Sequence, residues 1–214
     1  MALNKLKYNS LNLTPAANKA IGFDSDADAL EATLEGGAMT FISKVTASSS
    51  STISFTSGID STYKEYVFIF NDIHPSANAK SLTFQTDTGT NTNYNIACTS
   101  SGFEAYNNEP DNDNELRYDT QYDNAQSTSF IHLASEIMSV DDASCSGTLR
   151  IFSPSSSTFV KHWMSEFHGM RNDVYAWRFM KAGYFNTTTA LTRFQFKLNS
   201  GNIDAGTITL YGIN

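Results

Sequence analysis

Cysteine, proline, basic residues and long apolar runs are all scarce in this 214-residue chain. Cys98 and Cys145 are the only cysteines, so no multi-disulfide scaffold and no zinc site of three or four cysteines can form. Both lie in or beside strand-like stretches and read as buried free thiols; a disulfide between them is not implied without an oxidising compartment. No segment approaches the roughly 18–20 apolar residues that a membrane-crossing helix needs. Asn4, Lys5, Lys7, Asn9 and Ser10 interrupt the opening and leave no apolar core for a secretory leader. The expectation is a protein made in the cytoplasm, without membrane association. Lys and Arg number 14 against 22 Asp and Glu, for a net charge of -8 and a pI of about 4.8. No Lys/Arg cluster is present to neutralise phosphates, so nucleic acid is not an expected partner.

Motifs for catalysis are equally absent. There is no Gly-x-Ser-x-Gly elbow and no phosphate-binding glycine loop. His74, His132, His162 and His168 have no zinc-like spacing. Asp111, Asp113 and Glu115 alternate as calcium ligands do, but Leu116 stands where an EF-hand needs glycine and Tyr122 where it needs a bidentate Glu. No catalytic residue, cofactor or metal is therefore assigned, and the chain is expected not to be an enzyme.

What the chain does contain is alternation. At 40% hydrophobic and 13% aromatic residues it is apolar enough to build a sizeable core. Phe194, Phe196 and Leu198 alternate with Gln195, Lys197 and Asn199, and Ile208 and Leu210 alternate with Thr207, Thr209 and Tyr211. Successive side chains of a strand point to opposite sides, so each run has one wet and one buried face. The two runs read as a β-hairpin or as a pair of sandwich strands, with Ile203 plugging the end of the core. Further strands are predicted over 40–45, 52–56, 66–71, 81–86, 94–98, 130–133, 148–152, 159–165 and 176–185. Residues 66–70 are apolar throughout, as a central strand covered on both faces would be. Trp163 is assigned to the core. Many short strands with Ser, Thr, Asn and Gly turns predict an all-β, antiparallel, jelly-roll-like β-sandwich over residues 39–214.

Residues 1–38 differ from the rest. Their front half is basic, with Lys5, Lys7 and Lys19; their back half is acidic, from Asp24 to Glu35. Thr14 and Pro15 can open one short helix over 14–20, with Gly22 as its cap. Leu11 and Leu13 are among scattered apolar residues too few to build a core. This pattern describes an extended N-terminal attachment arm in which Lys5, Lys7, Leu11, Leu13 and Lys19 contact a partner. A second candidate surface is the acidic segment 103–124, a long polar loop in which Tyr106, Asp111, Asp113, Tyr118 and Tyr122 could form one ligand face. Tyrosines beside acidic side chains suit a sugar, and equally a subunit interface. Tyr175 and Trp177 are placed in or near loops by the same reading.

Three stretches carry a resemblance: the opening Met1 to Ser10 with Thr14-Pro-Ala-Ala17, the segment from Tyr66 to Pro75, and the ending from Ser200 to Gly212. Together they resemble small virion structural proteins of tailed bacteriophages, particularly marine and cyanobacterial phages. The resemblance implies a virion location and partnership with other virion proteins, either the major capsid protein or a tail component. It also implies a closed homo-oligomer, often a trimer. No ligand residues carry over from it. The function expected is that of a capsid decoration or cement protein anchored by the arm, with a tail-fibre or receptor-binding module that recognises host surface glycan as the alternative.

Overall fold

The computed structural model describes residues 19–23, 30–35, 38–171 and 174–213. They divide between two compact units, Met1–Thr40 and Phe41–Asn214. In the smaller unit, β1 (Lys19–Phe23) and β2 (Leu30–Glu35) form their own antiparallel sheet, with Lys19 in register with Glu35 and Phe23 with Leu30. The helix expected over 14–20 is not what its described end forms. Lys19 and Ala20 open β1, and Gly22 is a strand residue in register with Glu31. A seven-residue helix is marginal without tertiary support, whereas pairing with a neighbouring strand satisfies the backbone directly. Residues 14–18 lie outside the described residues, as do Lys5, Lys7, Leu11 and Leu13.

The larger sheets hold thirteen further strands. They are β3 (Met39–Thr46), β4 (Ile53–Phe55), β5 (Glu65–Pro75), β6 (Lys80–Asp87), β7 (Cys98–Asn108), β8 (Asn114–Tyr118) and β9 (Asn124–Ser127), followed by β10 (Ile131–Ile137), β11 (Cys145–Phe152), β12 (Lys161–Arg171), β13 (Tyr175–Phe185), β14 (Arg193–Leu198) and β15 (Ile203–Ile213). No helix occurs among the described residues. A nine-stranded sheet runs β3-β15-β5-β11-β12-β13-β7-β8, with β9 also pairing β7; a four-stranded sheet runs β10-β6-β14-β4.

Period-two alternation gives each sheet one apolar face, and the two faces meet. Phe196 of β14 is the hub: its ring centroid lies 5.0 Å from Phe68, 5.1 Å from Phe70, 6.0 Å from Phe55 and 6.4 Å from Phe84. Phe84 in turn meets Trp163 at 5.1 Å and Phe185 at 5.9 Å. The result is an all-β, sandwich-like pair of antiparallel sheets. The two closing runs are not a hairpin: β14 lies in the small sheet and β15 in the large one. Ile203 is fully buried, and β5 is central, between β15 and β11. Gly206 sits at φ 108° beside a register shift in β15, where a Cβ would lie 2.5 Å from the Asp72 carbonyl oxygen. Only glycine fits that bulge.

Strand boundaries differ from expectation by a few residues at several ends and more widely in two places. The strand placed at 94–98 instead starts at Cys98 and runs to Asn108. The polar segment 103–124 is not one loop, because β7, a turn and β8 make a hairpin of residues 103–118. Replacing Phe196 by Ala removes the hub ring and leaves a cavity between the sheets. The expected loss is about 3–5 kcal/mol in chemical denaturation, and a loss below about 0.5 kcal/mol would contradict this packing.

Candidate binding site

The four-stranded sheet is narrower than the nine-stranded one. Its edge strand β10 packs over β12 and reaches β13. Beyond that edge the same face carries buried Trp177 of β13 and Glu104 of β7, and exposed Glu115 and Arg117 of β8. Register dictates which residues meet. Trp177 pairs with Tyr106, and Tyr106 with Glu115; Phe179 pairs with Glu104, and Glu104 with Arg117. The Tyr106 and Trp177 rings stack with centroids 4.3 Å apart and 16° between planes. The Arg171 guanidinium lies 4.1 Å from the Trp177 ring centroid, a cation–π distance. Tyr175 meets Tyr106 edge to face at 5.8 Å.

Charges around this stack are tied in pairs. Glu104, only 5% exposed, accepts from Trp177 Nε1 at 2.8 Å and from Arg117 Nε at 2.6 Å. The Glu104 hydrogen bond raises the pKa of Arg117 above its ordinary value. Arg171 is paired with Glu136 of β10. Tyr175 donates to Asp113 Oδ2 at 2.8 Å and Tyr106 to Glu115 Oε2 at 3.2 Å. Tyr106, Asp113, Arg117, Arg171, Tyr175 and Trp177 thereby line an open, predominantly polar cleft of about 220 Å³.

Beside the cleft is a second, buried cluster. Lys181 and Asp119 form an ion pair at 2.7 Å, with side chains 2% and 3% exposed. Burial lowers the Lys181 pKa, and the Asp119 hydrogen bond opposes that shift. The Lys181 ammonium also lies 5.4 Å from the ring centroid of Tyr122, which stacks on His132 at 4.3 Å. Burial, aided by the Lys181 charge, pushes His132 down to about 4.

The five residues expected to share a ligand face are thus distributed. Tyr106 and Asp113 meet in the cleft. Tyr122 stacks on His132. Asp111 sits at φ 54° in the β7–β8 turn, where Asn107 Nδ2 donates to it at 3.3 Å, and it does not line the cleft. Tyr118 is opposite Phe103 on the outer face of the sheet, because strand parity separates it from Glu115 and Arg117. With Phe103, Met164 and Met180 it borders an apolar outer groove of about 310 Å³. Tyr175 and Trp177 are strand residues, and Trp177 is 4% exposed. Among the described residues, no three His, Cys, Asp or Glu side chains gather as a metal site. Arg117, Arg171 and Glu104 were not singled out from sequence; their signal is register, which a single strand's pattern does not contain. No protein-family model, curated protein or solved structure matches this chain.

The His132 shift has a pH consequence. An unfolded His titrates near 6.5, and in the fold it stays neutral until about 4. The unfolded state therefore binds more protons between those values, and stability is lost as pH falls through that window. Comparing denaturation of the parent and of His132→Gln, the parent should lose up to about 3 kcal/mol more between pH 7 and pH 4. Superimposable stability–pH curves would refute the assignment.

Proposed function

We propose that the chain is a non-enzymatic structural protein of a tailed-phage virion whose β-sandwich body, jelly-roll-like in kind, recognises a neutral host-surface saccharide. The cleft carries the proposal. Half-buried tyrosine rings of Tyr106 and Tyr175 stand beside Asp113 and the Arg117 and Arg171 guanidiniums, so apolar ring surface adjoins fixed donors and acceptors. A sugar presents the same mixture: C–H faces for aromatic contact and hydroxyls for the polar groups. Arg117 and Arg171 are balanced by Glu104, Glu115 and Glu136, which favours an uncharged ligand over an anion. Among the described residues the charged groups of the cleft are engaged with one another, which supports binding over catalysis.

Tyr106→Ala and Tyr175→Ala should each weaken binding to the recognised glycan, found on an array of bacterial surface saccharides, by about tenfold or more. Tyr118→Ala, on the other face, should leave it unchanged. An array silent across host polysaccharides, or equal effects at all three positions, would reject the proposal.

A second reading, capsid decoration, is favoured by one observation: the chain divides into a small N-terminal unit and a larger body. In that role the small unit docks on the major capsid protein, with Lys5, Lys7, Leu11, Leu13 and Lys19 at the contact. Deleting residues 1–38 should then abolish binding to empty heads in a co-sedimentation assay while leaving the body folded. Undiminished head binding by the truncated protein would exclude arm-mediated decoration.

A further inference from the structure

Strand β8 ends the nine-stranded sheet, and all five of its residues are exposed. Its only described strand partner is β7. The direction of its backbone groups follows from both ends of that ladder. Asn108 N donates to Asp113 O at 3.2 Å, and Asp119 N donates to Gly102 O at 3.0 Å. Bonded and non-bonded positions alternate in an antiparallel ladder, and the register holds without a shift between these ends. Positions 113, 115, 117 and 119 therefore turn their N–H and C=O toward β7. Asn114, Leu116 and Tyr118 turn theirs away from the sheet. Thr120 N reaches the Tyr118 carbonyl at 3.2 Å, and a carbonyl oxygen can accept a second bond.

Such an edge is a template for another strand, and natural proteins guard long exposed edges with charge, proline or a cover. Here the sequence of the edge is complementary to itself. We propose that β8 pairs antiparallel with β8 of a second copy about a two-fold axis through Leu116, joining the two large sheets into one. In that register Leu116 exchanges both backbone bonds with its mate, and Asn114 does so with Tyr118 of the second copy. Every bond uses an outward-facing group. Glu115 falls directly opposite the second copy's Arg117, and Arg117 opposite its Glu115, as adjacent side chains on the cleft face. Opposite charges at such positions stabilise a cross-strand pair, and like charges oppose one.

On the outer face Leu116, 70% exposed in the single chain, is covered by its counterpart. Moving the register by one residue in either strand sets an outward-bonding position against an inward-bonding one, so the two-fold register is strongly selected. Both clefts then open on the same side of the continuous sheet, an arrangement suited to bivalent contact. The pairing does not depend on what the cleft binds. It gives a dimer and not the trimer expected from the resemblance.

Sedimentation equilibrium of the full chain at micromolar concentration should give twice the 23.6-kDa chain mass. Leu116→Pro deletes an N–H that the subunit itself does not use, so it should sediment at the single-chain mass with unchanged circular dichroism and melting. Leu116→Cys places two thiols on the axis, about 5.5 Å apart at Cα in a hydrogen-bonded pair, within disulfide reach. It should cross-link under mild oxidation, whereas Asn114→Cys and Tyr118→Cys should not cross-link singly and should do so when combined in one chain. Cys98 and Cys145 give no background, since both are buried and burial pushes their thiols up to about 11 and about 12. A parent protein of single-chain or three-chain mass, a dimer that survives Leu116→Pro, or a dimer in which Leu116→Cys fails to cross-link would each overturn the proposal. The cross-linking result stands even if the proline variant does not fold.

Discussion

Contact between two apolar sheet faces, centred on Phe196, organises the rest of the molecule. A ring from the small sheet sits among Phe68 and Phe70 of the large sheet and Phe55 and Phe84 of its own. Aromatic side chains bury large areas and prefer tilted and edge-to-face geometries, so one such hub fixes both the spacing and the relative placement of the sheets. With that placement set, the mismatch in width becomes consequential. Four strands cannot cover the inner face of nine. The uncovered end, at β13, β7 and β8, must be closed by other means or left wet.

Paired polar groups provide the closure. Glu104, Lys181 and Asp119 are nearly inaccessible charges, each neutralised by a partner within about hydrogen-bond distance. Ion pairs of this sort contribute little net stability, because desolvation offsets their attraction, yet breaking one by removing a single partner is costly. Their effect is to hold the cleft residues in one arrangement. Trp177 is central to this. Its ring is occupied by Tyr106 and Arg171 and its N–H by Glu104, so it positions the cleft rather than offering a face to a ligand. The accessible aromatic surface is that of Tyr106 and Tyr175. Pre-ordered groups lose less entropy on binding than mobile ones.

The far edge of the same sheet ends in β8, whose two faces differ sharply. Glu115 and Arg117 face the cleft side, and Leu116 and Tyr118 face outward. One short strand thus contributes to the polar cleft, to the apolar outer groove and to a row of backbone groups turned away from β7. Strand parity connects these three properties: each is fixed once the hydrogen-bonded positions are known.

Much of the architecture could be read from the chain in order. The alternation at Phe194 to Leu198 and Thr207 to Tyr211, the apolar run at residues 66–70 and the turn residues between strands identified eleven stretches, ten of which overlap a strand well. Local pattern suffices there because burying one face of a strand needs only every second residue to be apolar. The same logic failed at Lys19 and Ala20, where a cap-like Thr14-Pro15 signal competes with pairing to β2, and at 103–124, where the apolar face of β8 is only Leu116 and Tyr118, too short a pattern among charged residues to announce a strand. Which sheet each closing strand joins was open in the sequence and settled only by packing. The candidate site was legible as residue types, tyrosines among acids, but not as a place. Tyr106 and Tyr118 look equivalent along the chain and lie on opposite faces of the sheet. Arg171, Trp177 and Glu104 meet only because three strands align in register, and register is a relation between strands that no single strand encodes.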